Sequence, residues 1–483
     1  MTIRSTHLLS PFASAYPLTA FIQGPSALIG DWQGKLNTGA ISLRIVFHIK
    51  SETPGKLLAT MDSPDQSAYG LPVGDVTIDG KAVKLLLPAV NGVFSGTLDD
   101  TGKVIDGRWE QGGASLPLII TLSDKPIVPT KRPQTPEPPF PYTETNITFP
   151  SIAKGITLAG TLTVPKGPGP FPTAIFVSGS GGQDRDETLL GHKPFQVLAD
   201  QLARLGIATL RYDDRGIGKS TGDQASGTSK DFADDAEGAV RFLKTAANIK
   251  RNKIGFIGHS EGGIIAPMVA ARNPDVAFVV MLAGPGVPGK DVILKQSEAI
   301  MKTMKATPAE IQRSRDSQLK TIAVVESALR KNPTNPDPQK LVAALKKETD
   351  TLIASLPEPQ RTEAQKNRAM VDAQVQQYAT PWFRYFLTYD PRTALRKVTV
   401  PVLVMNGDKD VQVIAAQNVP EVEKALRAGG NQRVTVRVMP GLNHLFQHAG
   451  TGSPQEYGTI DETFAPEAIK EITAFIRSVN RMK

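Results

Sequence analysis

Ile41, Leu43, Ile45, Phe47 and Ile49 alternate with Ser42, Arg44, Val46, His48 and Lys50, close to a period of two. That period predicts a half-buried β-strand. Asp79-Gly80, Asn91-Gly92, Thr101-Gly102 and Asp106-Gly107 follow in quick succession. Asn-Gly and Asp-Gly tolerate the positive φ that tight hairpins demand. Short strands at such spacing predict an all-β accessory domain over residues 25–125, a small sandwich or barrel. Seven prolines between 126 and 141 then make a stiff extended connector and mark a domain boundary.

Beyond it the pattern changes. Thr157–Val164, Thr173–Val177, Ile207–Leu210, Lys253–Ile257, Phe278–Leu282, Val400–Met405 and Val434–Val438 read as strands. Most of them are short continuous apolar runs. Helical stretches such as Pro194–Leu205 and Phe232–Leu243 alternate with most of them. Apolar strands separated by helices imply a mostly parallel sheet covered on both faces. Residues 290–380 break the rhythm: they are rich in Ala, Lys, Glu, Gln and Leu and read as amphipathic helices inserted between two sheet strands. The fold class is therefore α/β, with the sheet domain in two pieces, 142–285 and 386–483, around a helical insertion at 286–385.

Composition narrows the chemistry. The chain has no cysteine, which removes disulfides, thiol nucleophiles and cysteine metal sites, and only six histidines. A net charge of +8 over 483 residues, with no basic block, gives no nucleic-acid footprint. No apolar run reaches the ~18–20 residues of a membrane span. The segment 1–24 is a poor signal peptide, interrupted by Pro11 and Pro17. The extra β-domain and the lack of cysteine lean toward an exported protein; that segment does not. The sequence does not give the oligomeric state, and a homo-oligomer is compatible with it.

Gly258-His259-Ser260-Glu261-Gly262 directly follows the strand Lys253–Ile257 and runs into a helix. This is G-x-S-x-G in the strand–turn–helix setting of a nucleophile elbow. The turn is so sharp that the residues two before and two after the serine must be small. The serine then stands at a helix N-terminus, whose partial positive charge favours an oxyanion. Gly218-Lys219-Ser220-Thr221-Gly222 matches the same letters without strand or helix, and Asp213 stands where a phosphate loop needs its first glycine, so Ser260 is preferred.

Serine needs a base. His444, in the loop after Val434–Val438, lies at the strand edge where α/β sheets collect catalytic groups, with His448 as its rival. The acid belongs between them in chain order, and Asp410 is preferred to Asp408 in Asn406-Gly407-Asp408-Lys409-Asp410. The N–H groups of Glu261 and Ser180 are the expected oxyanion donors, with Gly181 the next choice. Gln183, Gly181 and His259 are the expected substrate-side residues, although His259 should point away on the elbow. Asp213, Asp214 and Arg215 read as structural. No metal or organic cofactor is implied.

At this point the residues resemble an α/β-hydrolase over about 142–483. GSGGQDRDE (from Gly179), RYDDRGIGKS (from Arg211), GHSEGG (from Gly258) and NGDKD (from Asn406) together look like bacterial serine carboxylesterases with an extra N-terminal β-domain. The resemblance implies that 286–385 forms a cap over the active site. One departure is Ser178-Gly179, where many relatives carry His-Gly; backbone donors act there, so activity is expected to survive. The implied function is hydrolysis of a small-molecule carboxylic ester through an acyl-enzyme. Peptidase or amidase, thioesterase or acyltransferase, and a non-catalytic binder on the same fold are the alternatives.

Overall fold

The computed structural model describes residues 25–481 apart from 39–41, 54–55, 67, 112–113, 125–131, 333–335, 359 and 367. The segment 1–24 and the first part of the proline-rich connector lie outside the described residues.

Among the described residues, nine strands form the N-terminal unit: β1 (Gly30–Asn37), β2 (Ser42–Thr53), β3 (Lys56–Ser63), β4 (Ala68–Val73), β5 (Asp75–Asp79), β6 (Ala82–Leu87), β7 (Gly92–Leu98), β8 (Val104–Gln111) and β9 (Ala114–Ser123). Their order in the sheet is β4-β3-β2-β1-β9-β8-β7-β6-β5. Every laddered neighbour is antiparallel, and β1 pairs with β9, Trp32 opposite Leu122. The first and last strands are therefore neighbours in the middle of the order, while its two ends, β4 and β5, are consecutive in the chain and come together, β3 contacting β5 and β4 contacting β6. The unit is a barrel with one seam between these two strands. Its interior is filled by Trp32, Phe47, Leu85, Phe94 and Trp109. Alternate residues of β2 face that interior, as the period of two requires.

The second sheet has eight strands: β10 (Tyr142–Pro150), β11 (Thr157–Pro165), β12 (Phe171–Val177), β13 (Ala208–Tyr212), β14 (Ile249–His259), β15 (Val276–Leu282), β16 (Val402–Gly407) and β17 (Val434–Met439). The order is β10-β11-β13-β12-β14-β15-β16-β17. The pairs from β13 through β17 are parallel, and β10 and β11 add an antiparallel edge. β10 is more polar than its neighbours and was not expected from the apolar runs.

Helix α1 (Pro194–Arg204) packs on one face of this sheet. Helices α2 (Ser229–Leu243) and α3 (Gly262–Ala270) pack on the other. β12 and β14 are neighbours although β13 lies between them in sequence. The loops after β12 and β14 thus meet at the point where strand order reverses, the usual place for a site in an open α/β sheet.

Between β15 and β16 the described residues of the insertion form α4 (Gly289–Thr303), α5 (Pro308–Lys331), α6 (Pro338–Ala354), α7 (Gln360–Lys366), α8 (Arg368–Ala379) and α9 (Pro381–Thr388). α5 begins at a capping box in which Thr307 and Glu310 bond each other's backbone N–H. The insertion has its own core, including Leu294, Val325, Leu345 and Leu387. Short α10 (Arg392–Leu395), α11 (Ala415–Ala428) and α12 (Pro466–Arg481) complete the sheet domain. No helix among the described residues is long and apolar enough to cross a membrane.

The barrel is docked on both other parts. α8 packs against β9. Leu43 of β2 joins Leu190, Leu445 and Tyr457 in a buried cluster. The buried Arg132 guanidinium donates to the carbonyls of Leu190, Gly458 and Ile460, which ties the connector to two loops of the sheet domain.

Beside that junction, His192 is 1% exposed. Its Nδ1 faces the Thr463 hydroxyl at 2.9 Å and its Nε2 faces the Tyr457 carbonyl at 3.0 Å. Burial, then the nearby Arg132 charge, holds its pKa down to about 4. A depressed histidine favours the neutral folded state. Its contribution is complete above the unfolded value of about 6.5 and is lost as pH falls toward 4, amounting to about 3 kcal/mol. We expect His192→Gln, which keeps a donor and an acceptor, to flatten the fall in Tm between about pH 6.5 and 4; thermal melts across that range check it.

Candidate active site

Ser260 occupies the turn between β14 and α3 with φ +52°, a left-handed conformation that costs a non-glycine residue about 1–2 kcal/mol. Its N–H donates to the Leu282 carbonyl at 2.8 Å and its own carbonyl accepts from Gly263 at 2.9 Å. The turn is possible because its flanks carry no side chains. A Cβ on Gly258 would lie 2.1 Å from the Gly262 carbonyl oxygen, and one on Gly262 2.1 Å from that of Val177. This second contact presses the elbow against the end of β12, so Gly179 lies beside the serine: a Cβ there would be 3.3 Å from Ser260 Cβ.

Asp410 and His444 come from the loops after β16 and β17. Both are buried, and His444 Nδ1 lies 2.8 Å from Asp410 Oδ2. The other carboxylate oxygen accepts the N–H groups of Gln412 and Val413, each at 2.8 Å, while Asn406 Nδ2 donates to Oδ2 at 3.1 Å. The aspartate is thus fixed in orientation before it meets the imidazole. Asp408, the rival, accepts from Gly441 N–H at 2.7 Å and braces the histidine loop. His448 sits at the surface between Glu462 and Glu467. Ser220 is buried, donating to the Asp213 carbonyl and accepting from Ala159 N–H.

Ser260, His444, Ser180 and Glu261 open onto one cavity of about 850 Å³. Its far walls come from α4, α5, α6, α8 and α9. The lining includes aromatic Tyr378, Trp382, Phe383 and Phe386, and uncharged polar groups such as Gln296, Ser314, Gln318 and Gln374. Among the described residues, its lining contains no lysine or arginine, and Glu261 is the only acid.

Gly181, Gln183 and His259 do not line this cavity. The chain turns away after Ser180, because Asp214 accepts Gln183 N–H at 2.9 Å and the Gln183 side chain folds back onto the Ser180 carbonyl. His259 is buried behind the serine, between Glu187 and the His444 carbonyl.

Asp213, Asp214 and Arg215 hold loops. Asp213 takes a bidentate bond from Arg185, and Arg215 pairs with Asp235. Asp214 accepts from Ser178 Oγ, and its burial raises its pKa well above the ordinary carboxylate value.

Two contributors escaped the sequence reading. Glu187 accepts Gly179 N–H at 2.7 Å, which spends that donor and leaves Ser180 N–H as the next one in the loop. Trp382, on α9, donates its indole N–H to Glu261 Oε1 at 2.8 Å, and Ser229 Oγ lies 2.5 Å from the same oxygen. Burial raises the Glu261 pKa against the opposing pull of these two donors. The carboxyl beside the serine therefore fastens the helical insertion to the elbow. The aromatic run Trp382-Phe383-Arg384-Tyr385-Phe386 at the end of the insertion was the available signal, and it named no partner.

Strand order, elbow and a buried acid–imidazole pair at the same sheet edge define an α/β-hydrolase with an N-terminal β-barrel. Residues 192–448, more than half of the chain, match the serine aminopeptidase S33 family, and the chain belongs to it. It is 27% identical over 314 residues to esterase EstD of Thermotoga maritima; the alignment covers 64% of this chain and 64% of EstD, so the chain spans less than two thirds of that relative's length. Among solved structures, the Pyrococcus furiosus esterase Pf2001 is 15% identical with a TM-score of 0.39, over 70% of this chain and 93% of that one. The hypothetical protein PA2218 of Pseudomonas aeruginosa is 17% identical with a TM-score of 0.42, over 74% and 99%.

The glycine contacts generate a direct expectation. Gly258→Ala forces a methyl into the Gly262 carbonyl and should cost about 3 kcal/mol by overpacking. Denaturant titration of the variant against the wild type measures the loss.

Proposed function

We propose that the protein hydrolyses carboxylic esters with Ser260 as nucleophile, His444 as general base and Asp410 as the group that orients the imidazole. One observation carries the reading: a serine on a strained elbow opens onto the same cavity as a histidine whose Nδ1 is already held by a buried aspartate. In this reading Asp410 holds the Nδ1–H tautomer, leaving Nε2 to take the hydroxyl proton. Ser260 Oγ bonds to the acyl carbon, and the carbonyl π pair moves onto oxygen. The N–H groups of Glu261 and Ser180 receive that oxyanion, each worth about 3 kcal/mol. Collapse expels the alcohol, which takes the proton from His444. Water then attacks the acyl-enzyme with His444 again as base, releasing the acid and restoring the serine.

The cavity indicates the substrate's character. The described lining residues include no lysine or arginine and so offer a negatively charged acyl or alcohol group no counter-ion, which favours an uncharged ester. Aromatic walls from α9 suit an apolar portion, and the glutamine, serine and threonine side chains suit a portion with hydrogen-bonding groups.

The family's name raises aminopeptidase activity as a second reading, and one residue bears on it. An N-terminal ammonium would need a carboxylate in the cavity, and Glu261, the only one lining it among the described residues, has Oε1 engaged by Ser229 and Trp382. This favours esters.

The test is a series of p-nitrophenyl acyl esters of increasing chain length alongside aminoacyl p-nitroanilides, with wild type and Ser260→Ala. Expected are ester turnover, little anilide turnover, and a fall in kcat of about 10⁶-fold in the variant. Ester turnover that survives in Ser260→Ala removes the nucleophile assignment; anilide turnover exceeding ester turnover replaces the esterase reading with the peptidase one.

A further inference from the structure

His259 is a buried histidine with no part in the acyl-transfer steps above. Its Nδ1 lies 2.9 Å from Glu187 Oε1 and its Nε2 lies 2.9 Å from the backbone carbonyl of His444. A backbone carbonyl only accepts, and so does a carboxylate. A neutral imidazole has one N–H and cannot donate to both. His192 shows the contrast: one of its partners is a threonine hydroxyl, which can itself donate, so a neutral ring satisfies both bonds.

We propose that His259 is a permanent imidazolium, paired with the Glu187 carboxylate, and that this buried ion pair is a positioning device for the active site. It acts on three loops at once. Glu187 Oε1 also accepts Gly179 N–H at 2.7 Å, which sets the oxyanion loop. His259 directly precedes the nucleophile, so its ring anchors the elbow. Its second N–H holds the carbonyl of His444, the proposed base. Glu187 itself has φ +52°, a strained conformation for a non-glycine residue, kept by surrounding structure that aims its carboxylate inward.

The charge also bears on catalysis, and this part rests on the esterase reading. The His259 and His444 rings lie 4.8 Å apart between centroids. The charged or titratable groups facing His259 are Glu187 on the oxyanion loop, His444 on the loop after β17 and Asp410 on the loop after β16. Burial opposes the charge on His259, and Glu187 more than offsets it, so its pKa is raised above the ordinary value. The charged Nε2–H held on the His444 carbonyl at 2.9 Å therefore fixes the backbone of the proposed base.

Two measurements test this. The first is NMR of the full-length wild type with ¹⁵N-labelled histidine, assigned with His259→Gln. Both His259 ring nitrogens should be protonated at pH 7, above the range in which an ordinary histidine loses its proton. A neutral tautomer at pH 7 overturns the proposal, and this readout needs no turnover. The second is the ¹⁵N histidine spectrum and the kcat and KM of Glu187→Gln, which preserves an acceptor for Gly179 but removes the counter-ion. His259 should then show one unprotonated ring nitrogen, and kcat should fall about tenfold with KM little changed. An imidazolium that persists without Glu187 overturns the pairing, and an unchanged kcat overturns the positioning role. Absence of any wild-type ester turnover defeats the esterase reading, and the NMR result then decides the ion pair alone.

Discussion

The contact on which the site depends is backbone against backbone at the elbow. Gly258 and Gly262 approach so closely that neither has room for a methyl group, and Gly262 presses on the Val177 carbonyl at the end of β12. That contact does two things. It forces Ser260 into a left-handed conformation, with its N–H tied to Leu282 in β15. It also brings the oxyanion loop against the serine, because β12 and β14 are sheet neighbours across the crossover. Gly263 in turn meets Gly284 at the start of the chain's path into the insertion, so the same close packing reaches the base of the helical layer.

Much of this was legible because it is local. The central strands are short apolar runs, since parallel strands are buried on both faces. Edge strand β17, packed on one side, is correspondingly more exposed along its length. Ser260 was separable from Ser220 because an elbow needs a strand before it and a helix after it, and both are written within fifteen or so residues. Asp410 followed from its place after a buried strand. The accessory domain was readable as all-β but not as sandwich or barrel, because the pair β1–β9 joins residues from opposite ends of the unit. Glu187, Trp382 and the true environment of His259 were illegible for the same reason: their partners are far away in sequence, on other loops and another layer.

The helical insertion and the barrel meet the candidate site by different means. The insertion reaches it through a hydrogen bond, Trp382 to Glu261, at the residue after Ser260. The barrel reaches it through packing, since Leu43 lies against Leu445, the residue after His444, together with Tyr457. Tyr457 in turn bonds Gln412, which lines the cavity. The N-terminal unit is therefore mechanically continuous with the histidine loop, although its own filled interior supplies no chemistry to the site.

The placement of the insertion has a thermodynamic consequence. It enters after β15 and returns at β16, two strands that lie side by side in the sheet. Joining their ends is a loop-closure problem, and its entropic cost grows only with the logarithm of the connection's length, about 0.6 kcal/mol for each doubling. The sheet is thus nearly indifferent to how much chain is spent between those strands. The walls of the cavity can be lengthened, shortened or rebuilt in a lineage while the Ser260 elbow and the Asp410–His444 pair keep their geometry, so that the cavity's shape can change almost independently of the sheet beneath it.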